Sequence, residues 1–179
     1  MTKALSLVPD ATSVIRFVDG FYRAPVEGDF PVDQTGTAEE THATVIIPAD
    51  SIRAGAWLRW VLLGTVDYGG GAPDNFTARL RWGEGGPVIL MSTVTIGGAG
   101  TNLPWRLTAE FQCGGPPGPA TQIAVWMHSL AQPGPSAGIS HGGGTFDTTK
   151  KTKLVFTMQL ASSSGLPHFR TLGSYMENF

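Results

Sequence analysis

Three segments of this chain alternate apolar and polar side chains with a period of two, and that rhythm restricts the fold more than any other feature. In "NFTARLRW" Phe76, Ala78, Leu80 and Trp82 point one way, while Asn75, Thr77, Arg79 and Arg81 point the other. "WRLTAEFQ" sets Trp105, Leu107, Ala109 and Phe111 against Arg106, Thr108, Glu110 and Gln112. "KLVFTMQL" sets Leu154, Phe156, Met158 and Leu160 against Lys153, Val155, Thr157 and Gln159. Successive side chains of a β-strand leave opposite faces, so each segment is expected to be a strand with one core side and one wet side.

A further segment, "AWLRWVLL", keeps the rhythm but is apolar on both sides. Ala56, Leu58, Trp60 and Leu62 share one face and Trp57, Arg59, Val61 and Leu63 the other, between Gly55 and Gly64. A membrane helix needs about 20 predominantly apolar residues. This run is half that length and carries Arg59 near its middle, so it reads as a strand buried on both faces. Weaker strand signals cover Ser13–Val18, Ala43–Ile47, Val88–Ile96, Gln122–Met127 and Phe169–Tyr175, for roughly eight or nine strands and no helix. Trp60, Trp82 and Trp105 fall in the apolar register and are expected in the core; the places of Trp57 and Trp126 stay open.

The segments between strands are rich in turn formers, drawn from 24 glycines and 13 prolines in 179 residues. "DYGGGAPDN", "GGAGTNLP", "CGGPPGPAT" and "SSSGLPH" read as turns within one domain. The longest, 131–145, reads as a mobile glycine-rich loop. Residues 1–40 differ: seven acids (Asp10, Asp19, Glu27, Asp29, Asp33, Glu39, Glu40) stand against three bases (Lys3, Arg16, Arg23), with little sustained alternation. The expectation is an N-terminal arm or anchoring segment over 1–40, then an all-β antiparallel sandwich of the jelly-roll type, with about eight strands, over 41–179.

Composition removes several function classes. A net charge of −2 and a pI near 6.0 supply no basic footprint for nucleic acid. Cys113 is the one cysteine, so no intrachain disulfide forms and no cysteine-rich zinc site can be built. His42, His128, His141 and His168 show no metal-ligand spacing in sequence. Pro9, Asp10 and Arg16 interrupt the N-terminal stretch where a secretory signal would need an unbroken apolar core, so synthesis in the cytoplasm is expected. Asn75-Phe76-Thr77 matches a glycosylation sequon, read here as chance because no secretory signal accompanies it.

The one motif with catalytic form is "GISHG", 138–142, which matches a nucleophile elbow with Ser140 as nucleophile and runs into "HGGG" at 141–144. An elbow works because a strand feeds a sharp turn that opens a helix, and its oxyanion loop lies elsewhere in the chain so that its donors can face the serine. Here the two motifs overlap and no helix pattern follows. A serine esterase or depolymerase is therefore the least favoured reading, and a glycine loop the favoured one. Asp67, Asp74 and Asp147 read as turn caps in loops rather than a glycosidase pair. No catalytic, cofactor-binding or metal residue is assigned, and no cofactor is expected.

"ATVIIPADSIRAG", then "NFTARLRWG", then "WRLTAEFQ", and finally "GGTFDTTKKTKLVFTMQLASSSG" together resemble a pattern in structural proteins of tailed bacteriophages. There an "IPA…L-x-x-G" entry, a "T-x-R-x-R-x-G" strand and a late "T-x-D-T-T" stretch mark a jelly-roll domain of head decoration, head fibres or tail appendages. The likeness spans about residues 43–165 of the chain. It departs from the pattern in "FTMQLASSSG", which lacks the late tryptophan, and in the long polar ending "HFRTLGSYMENF". The resemblance implies a non-enzymatic virion component that assembles as a symmetric homo-oligomer, a trimer by expectation, on a major capsid protein or a tail- or portal-associated protein. The alternative is an adsorption protein whose 131–145 loop contacts host surface glycan.

Overall fold

The computed structural model describes residues 24–25, 32–69, 74–96, 99–131, 138–161 and 168–178. The Ser13–Val18 strand, most of the acidic arm and residues 132–137 of the long loop lie outside them. Among the described residues there are eleven strands: β1 (Ala24–Pro25), β2 (Val32–Gln34), β3 (Glu40–Ile47), β4 (Trp57–Tyr68), β5 (Asp74–Trp82), β6 (Val88–Ile96), β7 (Gly100–Cys113), β8 (Thr121–Ala131), β9 (Gly138–Phe146), β10 (Thr152–Leu160) and β11 (His168–Asn178). They form two antiparallel sheets. The larger runs β1-β11-β4-β7-β8-β9, with β2 also paired to β11; the smaller runs β3-β10-β5-β6. The expected all-β sandwich is present, with β5–β6 as a hairpin, β7–β8–β9 as a meander, and the two ends of the chain brought together through β3–β10 and β4–β11.

The core lies where the alternation puts it. Trp60, Leu62, Phe76, Leu80, Leu107, Phe156 and Met158 are fully buried between the sheets, and Trp105 is 3% exposed. Trp60 meets Phe156 edge-on at 6.3 Å between centroids, and Phe76 meets Phe169 at 4.5 Å, so aromatic side chains from the two sheets interlock. Trp82, at the margin, stacks on Phe146 at 4.8 Å.

Four expectations need correction. Strand β4 does not end at Gly64 but continues to Tyr68. A Cβ on Gly64 would stand 2.4 Å from the Trp105 indole and 2.1 Å from the Arg170 carbonyl oxygen, so the glycine makes room for a ring inside the strand instead of terminating it. Asp67 and Asp74 accordingly belong to strands β4 and β5, not to loops. The outward side of β10 is dry at its centre: Val155 and Thr157 are 3% and 5% exposed. Glu39 accounts for Thr157, accepting its hydroxyl at 2.6 Å while also pairing with Arg81 at 2.9 Å and Arg79 at 3.5 Å. Most of the expected glycine loop is strand: Gly138–Phe146 is β9, paired with β8 over its length.

The residues at the end of the expected arm are also built into the sandwich. Val32–Gln34 pairs with Thr171–Phe169, and Glu40 opens β3 opposite Met158. This strap crosses from one sheet to the other, and His42 sits beneath the crossing. The "DTT" segment acts locally. Asp147 accepts the backbone N–H and hydroxyl of Thr149, while the buried Thr148 hydroxyl bonds Thr121 at 2.8 Å and accepts the Gly118 N–H at 3.0 Å. The lysine and threonine around Asp147 hold its carboxyl down at about 2.

Candidate functional site

Strand register arranges the outer face of the larger sheet in rows. The first row is Trp57, Gln112, Ala124 and Gly143; the second is Arg59, Glu110, Trp126 and His141; the third is Val61, Thr108, His128 and Ile139; Leu63 and Arg106 begin the fourth. Trp57 and Trp126, whose places the alternation left open, are thus diagonal neighbours on this outer face. Their rings stack over β7 with centroids 5.5 Å apart and planes 16° from parallel, and both stay half-buried. Between them in the second row Arg59 donates to Glu110 through Nε at 3.0 Å and Nη2 at 2.9 Å, so the charges beside the indoles neutralise each other.

Next to the stacked indoles the face sinks into a shallow trough of about 320 Å³. Its outward-facing lining is Gln112, Gln122, Ala124 and Gly143, with the backbone of neighbouring glycines completing it. The glycines are there for packing reasons. A Cβ on Gly142 would lie 2.3 Å from the Ile89 carbonyl oxygen of β6, and Gly143 has φ +137°, a conformation that side chains rarely adopt. Gly142 thus lets β6 press against β9 on the inner side, while Gly143, whose Cβ would meet the Ile123 carbonyl oxygen, leaves the outer side without a side chain and opens the trough. A second depression of about 340 Å³ along Gly114–Gln122 shares Gly114 and Gln122 with the first, which lengthens the concavity toward the strand ends.

Toward the other end of this face three apolar side chains are exposed among polar ones: Leu63 is 41%, Leu172 51% and Ile139 72% accessible, with Arg106 beside Leu63 and His128 beside Ile139 also exposed. Leu172 is the extra residue where the β11 register shifts between Thr171 and Gly173.

Ser140 lies within β9 opposite Met127, half-buried, with strand on both sides. The "GISHG" match thus has neither the turn nor the helix that an elbow requires, and "HGGG" is the same edge strand. The histidines are scattered. His128 and His141 are exposed on the outer face. His168 lies 3.3 Å from Asp33 and 3.9 Å from Asp67. His42 is buried: its Nε2 donates to Gln34 Oε1 at 3.0 Å, and its Nδ1 accepts the Thr171 hydroxyl at 2.7 Å. Gln34 Nε2 spends its protons on the Ala38 and Gly36 carbonyls, which fixes its oxygen as the acceptor and the neutral Nε2–H tautomer of His42. Burial lowers the His42 pKa to about 4, against a smaller opposing pull from Asp33. No cluster of metal-ligating side chains occurs among the described residues.

The stacked tryptophans and the trough escaped the sequence pattern because Trp57 and Trp126 are 69 positions apart and only register makes them neighbours. A glycine run at 142–144 directly after Ile139 and His141 was the available signal, since it erases the alternation that would have marked the strand. Comparison with protein-family models, curated proteins and solved structures returns no match.

Proposed function

We propose that the chain is a non-enzymatic structural protein of a tailed bacteriophage or phage-like particle. On this reading it is made in the bacterial cytoplasm and built into the virion as a symmetric homo-oligomer, most simply a trimer, seated on a major capsid protein or a tail- or portal-associated protein. The observation that carries the reading is the set of exposed apolar side chains on the larger sheet's outer face. Leu63, Leu172 and Ile139 stand exposed there, where a second copy can bury them. Arg59 and Glu110 beside this end are already paired within the protomer, while the exposed Arg106, register partner of Leu63, is a cation that the facing copy pairs or leaves at the solvated rim. The order of segments shared with phage structural proteins supports the same reading, as does a sandwich whose core engages only the inner sheet faces.

Two measurements test it. Light scattering on the purified chain is expected to give an oligomer that Leu63→Asp with Ile139→Asp reduces to monomer; a wild-type monomer at all accessible concentrations overturns self-assembly. Mass spectrometry of purified particles from the source culture is expected to find the chain in stoichiometric amount. Intact particles without it overturn the virion assignment.

A further inference from the structure

We infer that the trough beside Trp57 and Trp126 is a binding site for a neutral oligosaccharide. The site lies at the opposite end of the face from Leu63 and Leu172, so it stands apart from the assembly reading.

Several features converge on that ligand. The trough has the volume of a small-molecule site and is open along one side, as a chain-like ligand requires. Its continuation along Gly114–Gln122 gives it length for more than one ring. No charged side chain lines either depression, and the nearest ion pair, Arg59–Glu110, is internally neutralised. Anionic and cationic ligands therefore find no complementary charge.

What the walls offer is amide surface, and the residues flanking them on the same face add the indoles. Gln112 and Gln122 each bring a carboxamide, which both donates and accepts and so matches a sugar hydroxyl. Gln122 is held in place by its Nε2 donating to Thr145 Oγ1 at 2.8 Å. Trp57 lies across from Gln112 in the first row, and Trp126 is two positions from Ala124 on the same face of β8. Their mutual stacking restrains both indoles, which leaves little rotamer freedom to lose on binding, and leaves one face of each ring outside the stack. An indole carries a negative π face, and the C–H groups on one side of a pyranose ring present a weakly positive apolar patch to it. The half-buried Ala124 forms the floor, where a larger side chain would occupy the space of a ring.

The test titrates the full chain with maltohexaose, cellohexaose, laminarihexaose and chitohexaose, following tryptophan fluorescence and heat. At least one is expected to saturate the protein with a dissociation constant near or below about 1 mM. Trp126→Ala is expected to weaken binding about 10-fold, and Ala124→Arg to abolish it with circular dichroism unchanged. Ala124→Arg decides the matter if Trp126→Ala does not fold, because Ala124 faces outward. Absence of binding by all four up to about 10 mM, or equal binding by folded Ala124→Arg, overturns the inference. Light scattering on the same samples reads assembly separately, and Ala124→Arg is expected to leave the oligomer intact.

Discussion

The two flanks of this sandwich are closed by opposite means. On one, β6 presses directly against β9, and the fit depends on what is missing: the Gly142 Cβ that would meet the Ile89 carbonyl. On the other, β2, β3 and β11 are joined by a buried polar network in which His42 links Gln34 to Thr171, with Glu39 clamping Arg79 and Arg81 just above. The first flank is encoded by shape, through a contact between the Gly142 position and the Ile89 backbone that involves no titratable group. The second is encoded by hydrogen bonds and charge, so it answers to protons. One fold thus carries a pH-insensitive seam and a pH-sensitive one.

Acid breaks the comparison open most strongly. An unfolded histidine takes a proton near 6.5, whereas His42 in the fold resists until about 4. Between those values the unfolded state binds more protons, so stability is full above the upper limit and falls as pH drops through the window. The loss by pH 4 is on the order of 3 kcal/mol. Denaturant melts from pH 7 to 4 check it, and His42→Gln is expected to flatten that slope while lowering stability at pH 7. Asp33 and Glu39 act on the same flank at lower pH. The Arg170 hydrogen bond first, and the charges of Arg170 and His168 after it, lower the Asp33 pKa. Burial pushes the Glu39 carboxyl up, but Thr157, Arg81 and Arg79 together outweigh it and the net shift is downward. Both carboxylates contribute stability above their unfolded values and lose it as pH falls through the lowered folded ones.

On the glycine flank, Gly142→Ala is expected to cost about 2 kcal/mol, because the methyl group meets backbone that cannot rotate away. The same cost is expected at pH 7 and pH 5; a strongly pH-dependent cost would show that the two seams are coupled. Next in size, Glu39→Gln is expected to lose about 1.5 kcal/mol by weakening the clamp over Arg79, whose buried Nη1 already lacks a hydrogen-bond partner. Thermal melts with Arg79→Met in the Glu39→Gln background check this: rescue confirms that the arginine charge was the burden. Smallest of all, Lys153→Ala removes the exposed ion pair with Glu84, and thermal melts are expected to show no resolvable change because solvent screens that pair.

Legibility in the sequence followed the same division. The strands with intact alternation, β5, β7 and β10, were readable to within a few residues because each inward side chain is apolar and most are large. The "GGAGTNLP" segment, read as a turn, is strand from Gly100 on, and Pro104 fits inside β7 because β8 ends at Ala131 opposite Trp105, so no strand on that side requires the missing N–H. Strand β9 was not readable, since glycine at Gly142, Gly143 and Gly144 removes the side chains that carry the period, and a glycine run in isolation reads as loop. Gly64 misled for a related reason: the demand for it comes from Trp105, 41 residues later. For the candidate site, Gln112 could be placed on an outward strand face, whereas the places of Trp57 and Trp126 stayed open and nothing in the sequence set them beside one another.

Alternation by itself determined that this chain builds two-faced ribbons, which residues turn inward, and that the ribbons close over one core, because side-chain direction in a strand is a local property of the backbone. Strand order and register were decided only by the tertiary structure, and with them the Trp57–Trp126 stack, the trough at Ala124 and the buried place of His42. Those features join residues distant in the chain, and what selects them is the mutual fit of two whole sheets, which no short stretch of sequence contains.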